Sequence, residues 1–593
     1  MKLAAFLILL TIVRLIGIGQ MDLSPDEAYY HEWSQRLDWC YFSKGPGVAL
    51  AMHLSTALFG HGEFGVRAFA PLLALGTSVL LFWLARRIYD ERVATWTVIL
   101  ANVTPLFNAG GLIMSIDPLS IFFWTAALCT LWLALERGNG TEPRFSLWWP
   151  ASGLLIGAGF LCKWTNAFLL LSVLLLLLLT PRYRKELRRP GFYTMLLAFL
   201  PALLPVWIWQ SARGWPILAH LSSRGGLETP WWKVDFKEFG QFIAMHFGVY
   251  SPILFVGMVL ALWSEIRDSV VRWSLALVHC LPAVPRGFTR HWGAVLVVAL
   301  LALAFFFAGN FWEEPRLYKA SLLTLLIGAV AGISCVKEAT NVHWRARFLA
   351  AFAVPIIVVY LWIALHHDSE VNWTAPGFVG LFILTAAHYA ERASRRLVQW
   401  TLGIAVFLTI VGVQPDLLRM VGVPLPANRD HTTRLRGWAE TARAVAQVRA
   451  DLEKDLQRPI FLIGENYGVA AELCYYLPKR PPEVAGHPAC YVEESVVPAN
   501  QFNFWGRYDE YEPRTAPVLN RDEDSAEFGI NRFAGHTALY ITTRDEHEPP
   551  SVLIDTFESW KLVRDVEIKE NGRSVRHLRF FVCHRYQPGK LLN

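Results

Sequence analysis

The chain has 593 residues, of which 54% are hydrophobic and only 18% charged, with 55 Lys and Arg against 49 Asp and Glu for a net charge of +6. A soluble protein of that length would divide into several domains with far more charge on their surfaces, so this composition excludes that class. The small positive balance is explained by basic loops rather than a nucleic-acid partner, and the eight scattered cysteines, Cys129 and Cys162 inside apolar runs, fit neither a disulfide scaffold nor a zinc spacing.

The first apolar run, near 2–19, follows Lys2 and could pass for a signal peptide. Arg14 interrupts it and no small-x-small cleavage site follows, so it is predicted to be an uncleaved first helix. Directly behind it comes "LSPDEAYYHEW", residues 23–33. Ser24, Pro25 and Glu27 read as N-cap, first-turn proline and capping-box glutamate, with Asp26 and Glu27 favoured by the helix dipole. Further apolar runs near 63–84, 93–111, 117–135, 148–162, 165–180, 192–211, 246–263, 291–309, 317–335, 347–365, 373–389 and 398–414 are close to twenty residues with almost no charge. Together they predict an all-α polytopic bundle of about 13 membrane spans. The 25 tryptophans and 37 phenylalanines suit interfacial belts and lipid-facing surfaces.

Basic segments such as "ARRIYDERV", "PRYRKELRRP" and "ERASRRL" alternate with the acid-bearing loops. The positive-inside rule then puts the N-terminus in the cytoplasm and Asp26 outside. The stretch around 264–292 stays cytoplasmic, its apolar middle suggesting an interfacial helix. Residues 1–422 are expected to form the transmembrane domain. From about Val423 the composition turns polar, and 423–593 are expected to form an extracytoplasmic α/β domain. Its strands are expected in "PIFLIG", "HTALYITT" and "RHLRFFVCH", with a helix in "GVAAELCYYL". Cys474 and Cys490 would lie in a compartment that permits a disulfide.

Charges close to hydrocarbon are expensive, and they mark functional positions in a membrane protein. Asp26, Glu27 and Lys44 fall in the first outer loop, Asp117 between the third and fourth spans, Lys163 in "GAGFLCKWTNAFLL" and Arg224 in "AHLSSRGGLETPWW". Plainer readings exist for each: Asp117-Pro118 as a helix start, Lys163 as a snorkelling side chain, Arg224 as a solvated charge, Lys44 as the border of a glycine–proline turn. Their joint placement on one membrane face suits a reaction on an anionic lipid headgroup. A carboxylate can take a proton from an acceptor hydroxyl, while Lys and Arg hold a departing phosphate.

The stretch "SPDEAYYHEWSQRLDWCYFSKGPGVALAMHLSTALFGHGEFGVRAFA" resembles the first outer loop of bacterial family 39-like glycosyltransferases, the superfamily of protein O-mannosyltransferases and lipid A aminoarabinose transferases. "LIMSIDPLSIFFWTAAL", "GLLIGAGFLCKWTNAFLLL", "HHDSEVNWTAPGFVGLFIL" and "GENYGVAAELCYYLPKRPPEV" are similar to later segments of the same superfamily. The resemblance implies a GT-C membrane glycosyltransferase that uses polyprenyl-phosphate sugars and inverts the anomeric centre. It implies catalytic parts for Asp26, with Glu27 as acidic neighbour, and for Asp117. Lys44, Arg224, Lys163 and Tyr30 are implied as substrate-binding residues. Aminoarabinose transferases carry Glu-Lys-Pro where this chain has Ser43-Lys44-Gly45-Pro46, so their acidic metal ligand is missing. No cofactor is required by the sequence, and a divalent metal is left open.

The expected partners are a polyprenyl-phosphate-linked sugar, membrane lipid, and an acceptor that is a protein, lipid A or another glycolipid at the bacterial inner membrane. Two rival readings use the same charges differently. A transporter or flippase of lipid-linked sugars would need intramembrane charge, but neither an internal repeat nor paired broken helices is evident in the sequence. An envelope scaffold would leave the first-loop charges without a use.

Overall fold

The computed structural model describes residues 2–137, 146–224, 233–265, 344–423, 425, 430–479, 482, 484–495, 497–511, 531–570 and 573–588. The expected spans 291–309 and 317–335 and most of the expected interfacial stretch lie outside them. Among the described residues, five helices are long and apolar enough to cross a membrane: Glu63–Ile88, Ile116–Glu136, Pro190–Ser211, Trp344–Ala364 and Arg395–Val413. Two bent pairs raise the number to seven if each counts as one span.

One bent pair corrects the span expected at 246–263. Helix Phe236–Tyr250 ends at Ser251, whose φ of 70° is left-handed. Pro252 follows, and the chain restarts at an angle of 106°. Proline cannot continue the hydrogen-bond ladder, so the apolar pattern runs across a break that hydropathy does not register. The run at 93–111 is interrupted as well. Helix Glu91–Val103 stops at Thr104, and Pro105 opens a separate short helix to Gly110.

Arg14 earns its place inside the first apolar helix, Lys2–Gly17. Its guanidinium is buried and donates to the side chains of Asn102 and Asn108 at 3.2 and 2.8 Å. A charge so placed is tolerated because neighbouring helices supply acceptors.

The C-terminal part folds around a five-stranded sheet in the order β2-β1-β3-β5-β4. Strands β1 (Ile460–Gly464), β2 (Tyr491–Val492) and β3 (Thr537–Thr542) are parallel, and β5 (Arg573–Tyr586) runs antiparallel to both β3 and β4 (Phe557–Glu570). Buried on both faces, β1 reads as the continuous apolar run IFLIG. Strand β4 is the half-exposed edge, which is why its mixed sequence gives no strand signal. Cys474 and Cys490 are neighbours but are not joined by a disulfide: the Sγ of Cys474 points at the carbonyl oxygen of Cys490, 3.7 Å away.

This sheet does not stand apart from the membrane helices. Leu23 and the first-loop helix Pro25–Gln35, through Ala28, Tyr29 and Trp33, share one apolar core with Ile460 and Leu462 of β1 and with Val469 and Leu473 of the helix that follows it, Tyr467–Tyr476. Polar contacts pin the docking. Tyr476 Oη accepts from Leu23 N at 2.8 Å, Trp438 N donates to Asp22 Oδ2 at 2.7 Å, and Phe42 N donates to Gln501 Oε1 at 2.7 Å.

Candidate active site

The first-loop helix opens as the sequence predicts. Ser24 caps it, its hydroxyl accepting from Glu27 N while Glu27 reaches back to Ser24 N at 3.0 Å. Pro25 occupies the first turn. Capping leaves Asp26 and Glu27 on different faces, and their surroundings differ completely.

Glu27 is fully buried. Arg67 grips it with two bonds of 2.7 Å, from Nε to Oε1 and from NH2 to Oε2. Met114 N donates to Oε1 at 2.9 Å, and the Ser24 hydroxyl and backbone N–H donate to Oε2. Arg67 in turn donates to the carbonyls of Ile18, Met21 and Asp22. With five donors on two oxygens, Glu27 has no lone pair to offer a reactant. Its network ties the end of the first helix to the segment leading into Asp117.

Asp26 faces the other way and stays open to solvent. Among the described residues it has one hydrogen bond, from the hydroxyl of Tyr467 to Oδ1 at 3.2 Å. Protein nevertheless crowds it: lost hydration raises its carboxyl above the ordinary value, the Tyr467 bond and the charges of Lys44 and Arg434 pull it down, and the charge of Asp117 adds to the rise. The charges of Lys44, Asp117 and Arg434 thus act on one carboxylate from segments far apart in sequence. Tyr30 is buried on the same helix, packed edge-on to Trp33 at 5.1 Å, and the charges of Asp26 and Asp117 weigh on its hydroxyl.

Lys44 is half-buried on the turn before helix Gly47–Phe59. A Cβ at Gly45 would lie 2.4 Å from Leu161 O, so only glycine lets this turn press against the end of helix Trp148–Cys162. That contact brings Lys44 beside the segment carrying Lys163.

Lys163 makes a 2.6 Å ion pair with Asp117. The second Asp117 oxygen accepts from Asn372 Nδ2 at 2.8 Å, and Asn372 O accepts from Lys163 Nζ at 3.4 Å. Three polar residues thus close a ring at the start of helix Ile116–Arg137. The sequence-based expectation of Lys163 as a phosphate ligand meets an ammonium already engaged. Arg224 ends helix Pro216–Arg224, and its side chain lies outside the described residues.

Sequence reasoning missed Arg67, Asn372, Arg434 and Tyr467 as members of this region. Arg67 carried a signal, a charge at the foot of an apolar span in "EFGVRAFA". Asn372 lies in the Asn-Trp-x-x-Pro segment already singled out. Tyr467 and Arg434 carry none, because nothing local says that the C-terminal domain folds back over residue 26. Among the described residues, no three His, Cys, Asp or Glu side chains gather in a metal-ligating set.

Comparison with known proteins adds a family context. Residues 43–209 match the family model described as dolichyl-phosphate-mannose-protein mannosyltransferase. The chain is 30% identical over 395 residues to an undecaprenyl phosphate-alpha-4-amino-4-deoxy-L-arabinose arabinosyl transferase of Pseudomonas paraeruginosa, covering 63% of this chain and 67% of that one. It is 26% identical over 338 residues to the lipid A galacturonosyltransferase RgtD of Rhizobium johnstonii, covering 54% and 67%. Among solved structures, ArnT from Cupriavidus metallidurans bound to undecaprenyl phosphate superposes with a TM-score of 0.51 at 15% identity over 97% of both chains, a likeness of fold.

Proposed function

The chain belongs to the family of polyprenyl-phosphate-sugar-dependent membrane glycosyltransferases of the GT-C type, and from that premise we propose that it glycosylates a phosphorylated glycolipid of the lipid A kind at the outer face of the bacterial inner membrane. The observation that carries the reading is the pairing of Asp26, which among the described residues accepts one hydrogen bond, with the charge of Lys44 that acts on it. RgtD, named for lipid A, supports the acceptor class, and the arabinosyl transferase supports an undecaprenyl phosphate donor.

In this mechanism the donor enters from the outer leaflet, and Lys44 holds its phosphate together with Arg224. Asp26 takes the proton of an acceptor hydroxyl. The freed oxygen attacks the anomeric carbon from the face opposite the phosphate. The carbon–phosphate-oxygen bond breaks, polyprenyl phosphate leaves with the bonding electrons, and configuration inverts. Cations beside the leaving phosphate stabilise the charge it gains. Asp117, held by Lys163 and Asn372, sets the shape and charge of the floor beside the sugar, and Tyr30 lines the site. Glu27 is given a positioning part: it fixes the loop on which Asp26 stands. No step is routed through a metal, since Ser43 replaces the acidic ligand expected there.

The test uses purified chain in lipid, undecaprenyl phosphate-aminoarabinose or polyprenyl phosphate-galacturonate as donor, and lipid A as acceptor. Asp26→Asn should retain donor binding and nearly abolish release of polyprenyl phosphate; near-normal release removes Asp26 from the mechanism. Lys44→Ala should weaken donor binding, and an unchanged affinity counts against its phosphate role.

A further inference from the structure

The turn after β1, Gly464-Glu465-Asn466-Tyr467-Gly468, belongs to the C-terminal domain yet ends against Asp26. Its construction looks purposeful at each residue. Asn466 caps helix Tyr467–Tyr476, accepting from Gly468 N and Val469 N at 2.9 and 3.1 Å. Glu465 is buried and anchors the turn to β3, accepting from Thr543 N at 3.0 Å and from the Thr543 hydroxyl at 2.6 Å. Gly468 allows contact with the catalytic loop: a Cβ there would stand 2.9 Å from Pro25 Cβ. The Tyr467 ring packs on Tyr29 with centroids 4.6 Å apart, and Tyr29 Oη in turn accepts from Gln501 N. The turn sits at the carboxyl end of a parallel strand, the place where open α/β sheets present functional groups.

We propose that Tyr467 is a positioning residue of the glycosyl transfer, its hydroxyl holding Asp26 Oδ1 so that Oδ2 is aimed at the acceptor hydroxyl. The C-terminal domain is therefore a working half of the active site rather than an appendage. This rests on the reading of Asp26 as the base, and deepens it. Among the described residues Asp26 has this single anchoring donor and its second oxygen accepts from none, in contrast to Glu27, whose two oxygens are both filled. The same bond stabilises the charged form of Asp26 against its crowding, so the base stays ready for a proton at lower pH than it otherwise could.

The experiment is Tyr467→Phe in the full chain in lipid, which removes one oxygen and keeps the ring on Tyr29. Infrared titration of the carboxyl stretch, taken as the difference between each chain and its Asp26→Asn counterpart, reads the residue 26 carboxyl without any substrate. Its midpoint should rise by about one pH unit on loss of the hydroxyl. With donor and lipid A supplied, the acid limb of kcat should move in the same direction and rate should recover at higher pH, with donor KM unchanged. A purely structural tyrosine would lower kcat at every pH and leave the infrared midpoint in place; an unmoved midpoint overturns the proposal. Failure of the underlying function would look different: Asp26→Asn would then keep releasing polyprenyl phosphate whatever residue 467 does.

Discussion

Asp26 and Glu27 are consecutive carboxylates on one helix, yet each belongs to a different region of the molecule. The Glu27 side is a closed lattice in which Arg67, Met114 and Ser24 fill every acceptor position. The Asp26 side is open, with one donor among the described residues, from the C-terminal part, and several charges acting on it. The difference teaches how the two are used: a saturated buried pair fixes geometry, whereas a carboxylate with spare lone pairs can exchange a proton. A capping box supplies the first kind, and its neighbour, left outside the cap, becomes available for the second.

The contrast is broken most sharply by Asp26→Asn, which should reduce turnover by about 10²–10⁴-fold, the usual worth of a general base, with the melting temperature unchanged. In the wild-type chain, turnover should fall with decreasing pH as Asp26 protonates. Crowding raises that carboxyl, so the fall begins at higher pH than for an ordinary aspartate. On the opposite side, Arg67→Met strands a buried carboxylate and should cost roughly 3–5 kcal/mol of stability, read from unfolding of the purified protein. If Arg67→Met unfolds like the wild type but Asp26→Asn melts early, the two regions have been assigned the wrong way round.

Smaller effects sharpen the same comparison. Lys163→Met leaves Asp117 with only its Asn372 bond among the contacts described above, and should cost roughly 1.5–3 kcal/mol, partly restored by adding Asp117→Asn in a double-mutant cycle. The smallest change concerns Glu472, buried in helix Tyr467–Tyr476 with neither carboxyl oxygen hydrogen-bonded among the described residues. Burial holds its proton well above the ordinary carboxylate value of 4.5. Its contribution is thus fully present below the unfolded value and lost as pH rises through the higher folded value. Glu472→Gln should flatten the alkaline side of the melting-temperature profile; a slope identical to that of the wild type would show that residue 472 does not titrate across it.

Much of the bundle was legible because hydrocarbon demands long uncharged runs, and helices such as Ile116–Arg137 and Arg395–Val413 satisfy that demand locally. The same logic failed at Ser251, where a left-handed residue and a proline break a run whose hydropathy is continuous. In the C-terminal domain, β1, β3, β5 and the helix after β1 were readable from their apolar runs. Strands β2 and β4 were not: one is two residues long and the other is an exposed edge. Of the candidate site residues, Asp26, Lys44 and Asp117 could be picked out as costly charges. The engagement of Lys163 by Asp117 was not, because their attraction spans 46 residues of sequence.

By itself the sequence determined that this chain lives in a bilayer, that a capped helix follows its first apolar run, and which charges hydrocarbon makes expensive. These are consequences of solvation and local hydrogen bonding, which neighbouring residues largely decide. Only the tertiary structure decided that Glu27 would be consumed by Arg67, that Lys163 would bind Asp117, and that a tyrosine 441 residues away would meet Asp26. Those outcomes depend on which surfaces share a core, and the burial that unites the first loop with the C-terminal sheet is a property of the folded whole.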